Sequence, residues 1–163
     1  MRILLAIDNS EFAKQAVHVV AQQCRPGGTK IEVLHVVEAI MAYVSAELVP
    51  HLVSHIEQVE KDRQREGNQL VKEASAKLRK AGFSTTTLVV DGDPRTQILN
   101  RAVAWNADLI VIGSHGLRGL NRLLIGSVSE AVSRHAPCSV EIVRIKRILK
   151  RPRPRSRRAA THS

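Results

Sequence analysis

The residues best suited to chemistry lie in one stretch, Gly113-Ser114-His115-Gly116 and, after a longer connection, Gly126-Ser127-Val128-Ser129. The stretch leaves an apolar run of strand type and enters a helical pattern. Glycine has no Cβ, so a ligand can approach the backbone closely at Gly113 and Gly116. Gly126, Ser127 and Val128 stand where a helix begins, and the first N–H groups of a helix have no intrahelical acceptor. Those donors, together with the helix dipole, attract phosphate. The hydroxyls of Ser127 and Ser129 offer further hydrogen bonds. His115, Arg118 and Arg122 add positive character, with His115 itself expected to be a solvated loop residue. The alternative is that the glycines serve only tight turns. A strand exit, a spaced glycine pair and Gly-Ser at the next helix start coincide here, and together they point to phosphate binding.

Other candidates carry less. His51 and His55 sit one helical turn apart, as metal ligands can, but no third ligand lies near them in sequence. Cys24 and Cys138 follow no metal or redox spacing, so they read as small buried apolar residues in a reducing compartment. A catalytic cysteine would need a base partner that the sequence does not identify. There is no Gly-x-x-x-x-Gly-Lys-Ser/Thr loop. No catalytic residue and no protein metal ligand are assigned.

Positioning the glycine loop requires a framework, and the apolar pattern supplies one. Ile3–Ile7 is a continuous apolar run, as expected of a strand buried on both faces. Ser10 caps a helix with Phe12, Ala13, Ala16, Val17 and Val20 on one side, stopped by Gly27-Gly28. Ile31–Val37 is the second strand, and residues 38–49 form a loop. Pro50 opens a long helix that ends before Gly82, the favoured order of proline and glycine. Glu60–Gln69 within it is polar and expected to project into solvent, and Gly67 marks a kink or break. Phe83–Val90 is the third strand. Asp93-Pro94 caps a helix that ends near Trp105. Leu109–Ile112 is the fourth strand, a helix runs from about Gly126 to His135, and Ser139–Ile145 is the fifth strand. Strands alternating with helices predict a single α/β domain with a parallel sheet and helices on both faces.

Charge divides the chain of 163 residues. Residues 146–163 hold eight of the 25 lysines and arginines and none of the 15 acids, so residues 1–145 carry only +2 of the net +10. The predicted domain is residues 1–145. Residues 146–163, with Pro152 and Pro154, are expected to be a disordered basic tail. With two Phe, one Tyr and one Trp, the sheet offers few platforms for stacking bases. No apolar run approaches the roughly 20 residues that span a bilayer. Met1–Asp8 reaches an acid too soon for a signal peptide. A cytoplasmic protein is expected.

The order Gly113, two residues, Gly116, nine residues, Gly126, Ser127 resembles the ATP-binding pattern of the universal stress protein family. The resemblance extends over roughly residues 2–145 and takes in Asp8, His35-Val36, Ala107-Asp108 and Ala136-Pro137-Cys138-Ser139-Val140. It implies a five-stranded parallel open sheet in the order 3-2-1-4-5, which brings the ends of strands 1 and 4 together at a switch point where ligands of such sheets bind. It also implies ATP as cofactor, with Mg²⁺ bound through the phosphates. Asp8 matches the acid that contacts the ribose; the lesser alternative is that it simply caps the helix that begins at Ser10. Val36 matches the residue whose backbone reads adenine, and Gly113, Gly116, Gly126, Ser127 and Val128 match the phosphate cradle. The full cofactor-binding set expected is Ala6, Ile7, Asp8, Val36, Gly113, Ser114, His115, Gly116, Gly126, Ser127, Val128 and Ser129. The family resemblance further implies a regulatory role in stress response and a homodimer paired through residues 139–145. Slow ATP hydrolysis, or binding of nucleic acid or an anionic surface through the tail, are the alternatives.

Overall fold

Strands and helices alternate from the first residues: β1 (Arg2–Ala6), α1 (Glu11–Gln23), β2 (Lys30–Val37), α2 (Pro50–Lys80), β3 (Ser84–Asp91), α3 (Pro94–Ala104), β4 (Leu109–Gly113), α4 (Ser127–His135) and β5 (Ser139–Val143). The computed structural model describes residues 1–38, 50–116 and 125–145, without the side chains of 50–55. The side chains of His51 and His55, the loop bearing Arg118 and Arg122, and the basic tail lie outside the described residues, as do residues 39–49.

The five strands are all parallel and ordered β3-β2-β1-β4-β5. From Ile3 to Ala6, β1 is apolar at every position because both of its faces are covered. Ile3 and Leu5 join Ile31, Val33, Val111 and Val143 in the layer shared with α1 and α2. Leu4 and Ala6 face the other way and pack with Leu34, Ile110, Ile112, Ile98 and Val132 beneath α3 and α4. Fully burying an aliphatic side chain of this kind contributes about 1.5–3 kcal/mol, and eight of the twelve largest fully buried side chains among the described residues lie in the three central strands.

Local signals set the helix ends. Ser10 Oγ accepts from Ala13 N at 3.2 Å, and Asp93 Oδ1 accepts from Thr96 N at 3.0 Å ahead of Pro94. The Arg95 guanidinium first, and then the Thr96 N–H, lower the Asp93 carboxyl to about 2. After α2, Gly82 at φ 93° turns the chain into β3.

Several expectations change in detail. The third strand begins at Ser84, while Phe83 is buried under the end of α2. β5 ends at Val143, two residues before the expected Ile145. α2 is one helix from Pro50 to Lys80, so Gly67 does not break it. Its polar stretch is mostly exposed, but Arg63 and Gln64 are half-buried against the sheet end. Both cysteines are free and partly buried, and burial raises both thiols. Glu141 adds to the shift at Cys24 and Asp108 to that at Cys138. Thiols so held are protonated and act as apolar filler.

One buried charge was not foreseen. Glu32, in β2, is almost fully buried and forms a forked ion pair with Arg101 of α3, with Arg101 Nη2 at 2.7 Å from Glu32 Oε1 and Nε bonded to Oε2. It lies toward the start of β2, away from the carboxyl ends of the strands.

Candidate functional site

The sheet order reverses between β1 and β4, and the carboxyl ends of these strands open into a cavity of about 760 Å³. That volume is in the range of small-molecule and cofactor sites. Ala6, Ile7 and Asp8 enter it from β1, and Val36 from β2. Gly113, His115 and Gly116 enter from the end of β4, and Gly126 to Ser129 from the start of α4. All the expected site residues but Ser114 therefore border one space, although Asp8 and Gly113 lie 105 positions apart in the chain.

Ser114 works from behind. It is fully buried, and its N–H bonds Val143 O at 2.8 Å while its carbonyl accepts from Gly126 N at 2.8 Å. This pair of bonds fixes the start of α4 beside the end of β4. Gly126 is the N-cap of α4 and supplies no side-chain cap. The first bond back to Gly126 O comes from Glu130 N at 2.9 Å. The amides of Ser127 and Val128 are thus first-turn donors without intrahelical acceptors, at the rim of the cavity. The Ser127 side chain is exposed.

One expectation needs correction, and two residues have a structural role beside the expected one. His115 is not a solvated residue: it is 93% buried by its 7% exposure, its ring lies 5.0 Å from the Phe12 ring, and its Nδ1 is 3.1 Å from Ser114 Oγ. His115 packs beside the first turn of α1, so its polar ring finds partners inside. Ser129 Oγ donates to Gly113 O at 2.7 Å, and this strut commits the hydroxyl proton that a ligand would have used. Gly113 has a reason to be glycine besides a ligand. A Cβ there would lie 2.8 Å from Phe12 Cβ and 2.9 Å from the Phe12 carbonyl carbon. The first turn of α1 sits on it.

Asp8 does not itself cap α1, because Ser10 is the N-cap, but it holds that capping residue. Its Oδ1 accepts from Ser10 N at 3.2 Å and Ser10 Oγ at 2.5 Å, and Ser10 in turn caps α1. Its other oxygen faces Gly116, where an added Cβ would lie 2.8 Å from Oδ2. The carboxylate therefore stands between the two halves of the site, and the local role does not remove it from the cavity.

The α2 wall was not read from the sequence. Arg63, Gly67 and Leu70 line the cavity, as does Ile98 of α3. Arg63 Nη1 donates to Glu38 O at 2.9 Å, and Gln64 Nε2 to Asp91 Oδ1 at 2.6 Å, so α2 is tied to the ends of β2 and β3. The available signal was Gly67: a buried glycine inside an unbroken helix marks a close approach. Among the described residues, no group of three or more His, Cys, Asp or Glu is placed to hold a metal ion, and no helix is long and apolar enough to cross a membrane.

Comparison with known proteins agrees with this architecture. Universal stress protein YxiE of Bacillus subtilis is 31% identical over 145 residues, covering 88% of this chain and 98% of that protein. The solved structure of hypothetical protein MJ0577 superposes with a TM-score of 0.77 at 26% identity, covering 89% of this chain and 96% of its own. The AMP-bound universal stress protein family member At3g01520 of Arabidopsis thaliana has the same fold at TM-score 0.64 and 21% identity, with 90% and 92% of the two chains covered. The model of the universal stress protein family matches residues 1–144, and the chain belongs to that family.

Proposed function

We propose that this protein binds an adenine nucleotide in the cavity between β1 and β4, with ATP as the ligand, and acts through the bound state as a regulator in stress response. The observation that carries the reading is the meeting of three chemistries in one space. A carboxylate, Asp8, can accept from sugar hydroxyls; Val36 offers backbone at the end of β2; and the start of α4, without a side-chain cap, offers amides for phosphate. The AMP complex of the plant protein of the same fold supports the choice of adenine nucleotide. Gly126 also has a packing reason to be glycine, since a Cβ there would press on Ser114 O at 3.2 Å. In this reading Mg²⁺ would enter on the phosphates of ATP. The reading assigns no catalytic residue.

Purified protein should release an adenine nucleotide on denaturation, read by mass spectrometry. Calorimetry of nucleotide-free protein should show binding of Mg-ATP. No heat with ATP, ADP or AMP at millimolar concentration would sink the reading.

The same reading extends to assembly. β5 is an edge strand, with Val140 and Ile142 only half-buried. An apolar edge invites pairing, and a two-fold copy of β5 would cover it. Light scattering at micromolar concentration should then report a dimer, and Ile142→Lys should give a monomer.

A further inference from the structure

We infer that His35 is a positioning residue that stops the β1–β2 ladder one step early and so keeps the backbone of Val36 open to a purine edge; this rests on the nucleotide reading above. The pairing of β1 with β2 ends at Ala6 opposite Leu34, and the last ladder bond runs from Ile7 N to Leu34 O at 2.9 Å. In a parallel ladder, alternate residues turn both N–H and C=O toward the same neighbour. Val37 O accepts from Gly92 N beside β3, so Val36 faces β1. If the ladder ran on, Val36 N–H would bond the next acceptor in line, the Ile7 carbonyl. The His35 ring takes that place, with Nδ1 at 2.8 Å from Ile7 O. A carbonyl only accepts, so Nδ1 carries the proton. Val36 and Ile7 both border the cavity at this point.

The ring is held there by α2. At Gly67 an added Cβ would lie 2.7 Å from His35 Cδ2 and 3.4 Å from its Nε2. A glycine interior to a helix costs about 1 kcal/mol relative to alanine, and this one is kept where the His35 ring leaves no room for a methyl group. His35 and Gly67 therefore form one device: the glycine admits the ring, and the ring holds the Ile7 carbonyl. The Val36 N–H and C=O are then a donor and an acceptor side by side, the pair needed to meet the ring nitrogen and exocyclic amine of adenine.

The test uses full-length protein and AMP as the probe. His35→Leu should bind AMP at least about tenfold more weakly, while His35→Asn, whose side-chain amide can reach the same carbonyl, should stay within about threefold of the parent. Amide exchange at Val36, followed by NMR, gives a reading that loss of packing alone would not move. In the parent the Val36 amide should exchange readily and become protected on adding AMP, whereas in His35→Leu it should be protected without AMP. If His35→Leu does not fold, Gly67→Ala serves instead: it should weaken AMP binding alone, and not in the His35→Asn background. Parent-level affinity in a folded His35→Leu variant would overturn the inference, as would an Asn variant as weak as Leu. Absence of AMP binding in the parent would instead overturn the nucleotide reading, and the Val36 exchange rates without AMP would still test the ladder.

Discussion

Gly113 and Gly116 are three residues apart, yet a methyl group added at each should have different consequences. At Gly113 it would lie 2.8 Å from Phe12 Cβ, 2.9 Å from the Phe12 carbonyl carbon and 3.1 Å from Ala13 N. These atoms belong to the first turn of α1, which is pinned by the Ser10 cap and the burial of Ala13 and Ala16. Backbone cannot swing aside, so α1 must shift away from β4. Overpacking of this kind costs about 1–3 kcal/mol. For a chain of this length that corresponds to a fall in Tm of about 3–10 °C in Gly113→Ala. At Gly116 the methyl group meets a single side-chain atom, Asp8 Oδ2 at 2.8 Å, with the next atom at 3.8 Å. Asp8 can turn, at the expense of its geometry in the cavity. Gly116→Ala should therefore lower Tm by less than about 4 °C, because at most one hydrogen bond's worth of stability is at risk. Its effect should fall on ligand affinity. A hydrogen bond from a sugar hydroxyl to a carboxylate is worth about 1.5–3 kcal/mol, or roughly 10- to 100-fold in affinity. Melting curves without nucleotide and calorimetry with Mg-ATP at 25 °C measure the two effects separately. A Gly113→Ala variant that melts with the parent would refute the packing argument. A Gly116→Ala variant with parent affinity would refute the place given to Asp8.

Three further outcomes follow from other parts of the molecule. Arg101→Ala leaves the buried Glu32 carboxylate without its guanidinium; because Arg101 is itself 34% exposed, the loss in urea unfolding should be about 2–3 kcal/mol, under the range for fully buried pairs, and the double variant Glu32→Met/Arg101→Leu should recover most of it. The Asp93 carboxyl is lowered from 3.8 to about 2 in the folded state, so it adds stability that is complete above pH 4 and disappears as pH falls through 2; with its side chain 41% exposed, solvent screening limits this to under about 1 kcal/mol, and acid unfolding of Asp93→Asn should show the difference only above that window. Truncation after Ile145 should leave Mg-ATP affinity nearly unchanged at physiological salt, where the screening length is about 8 Å, and a large loss that persists there would mean that residues 146–163 contribute to the site.

Much of the framework was legible because it depends on local physics. Ser10, Asp93-Pro94 and Gly82 mark helix ends through caps and backbone freedom, and each does so here. The continuous apolar run of β1 already implied cover on two faces. Strand limits were less legible. Phe83 looks like strand by type, but it is packed under α2 and pairing starts at Ser84. Ile145 continues the apolar alternation of β5, yet the ladder with β4 runs out at Gly113 opposite Val143.

The sequence by itself determined the kinds of element, their alternation and the glycine spacing, because these rest on side-chain type and near neighbours in the chain. It could not decide what each glycine or polar group faces. Gly113 meets α1, Gly116 meets Asp8 and Gly67 meets His35, three different contacts behind one residue type. The Ser129 hydroxyl turns to Gly113 O, His115 turns inward beside Phe12, and Glu32 finds Arg101 across 69 positions of sequence. Such pairings depend on which strand lies beside which and on how closely a helix can approach the sheet. Only the packed layers set those distances, and hydrogen bonds and steric contacts change sign over less than an ångström.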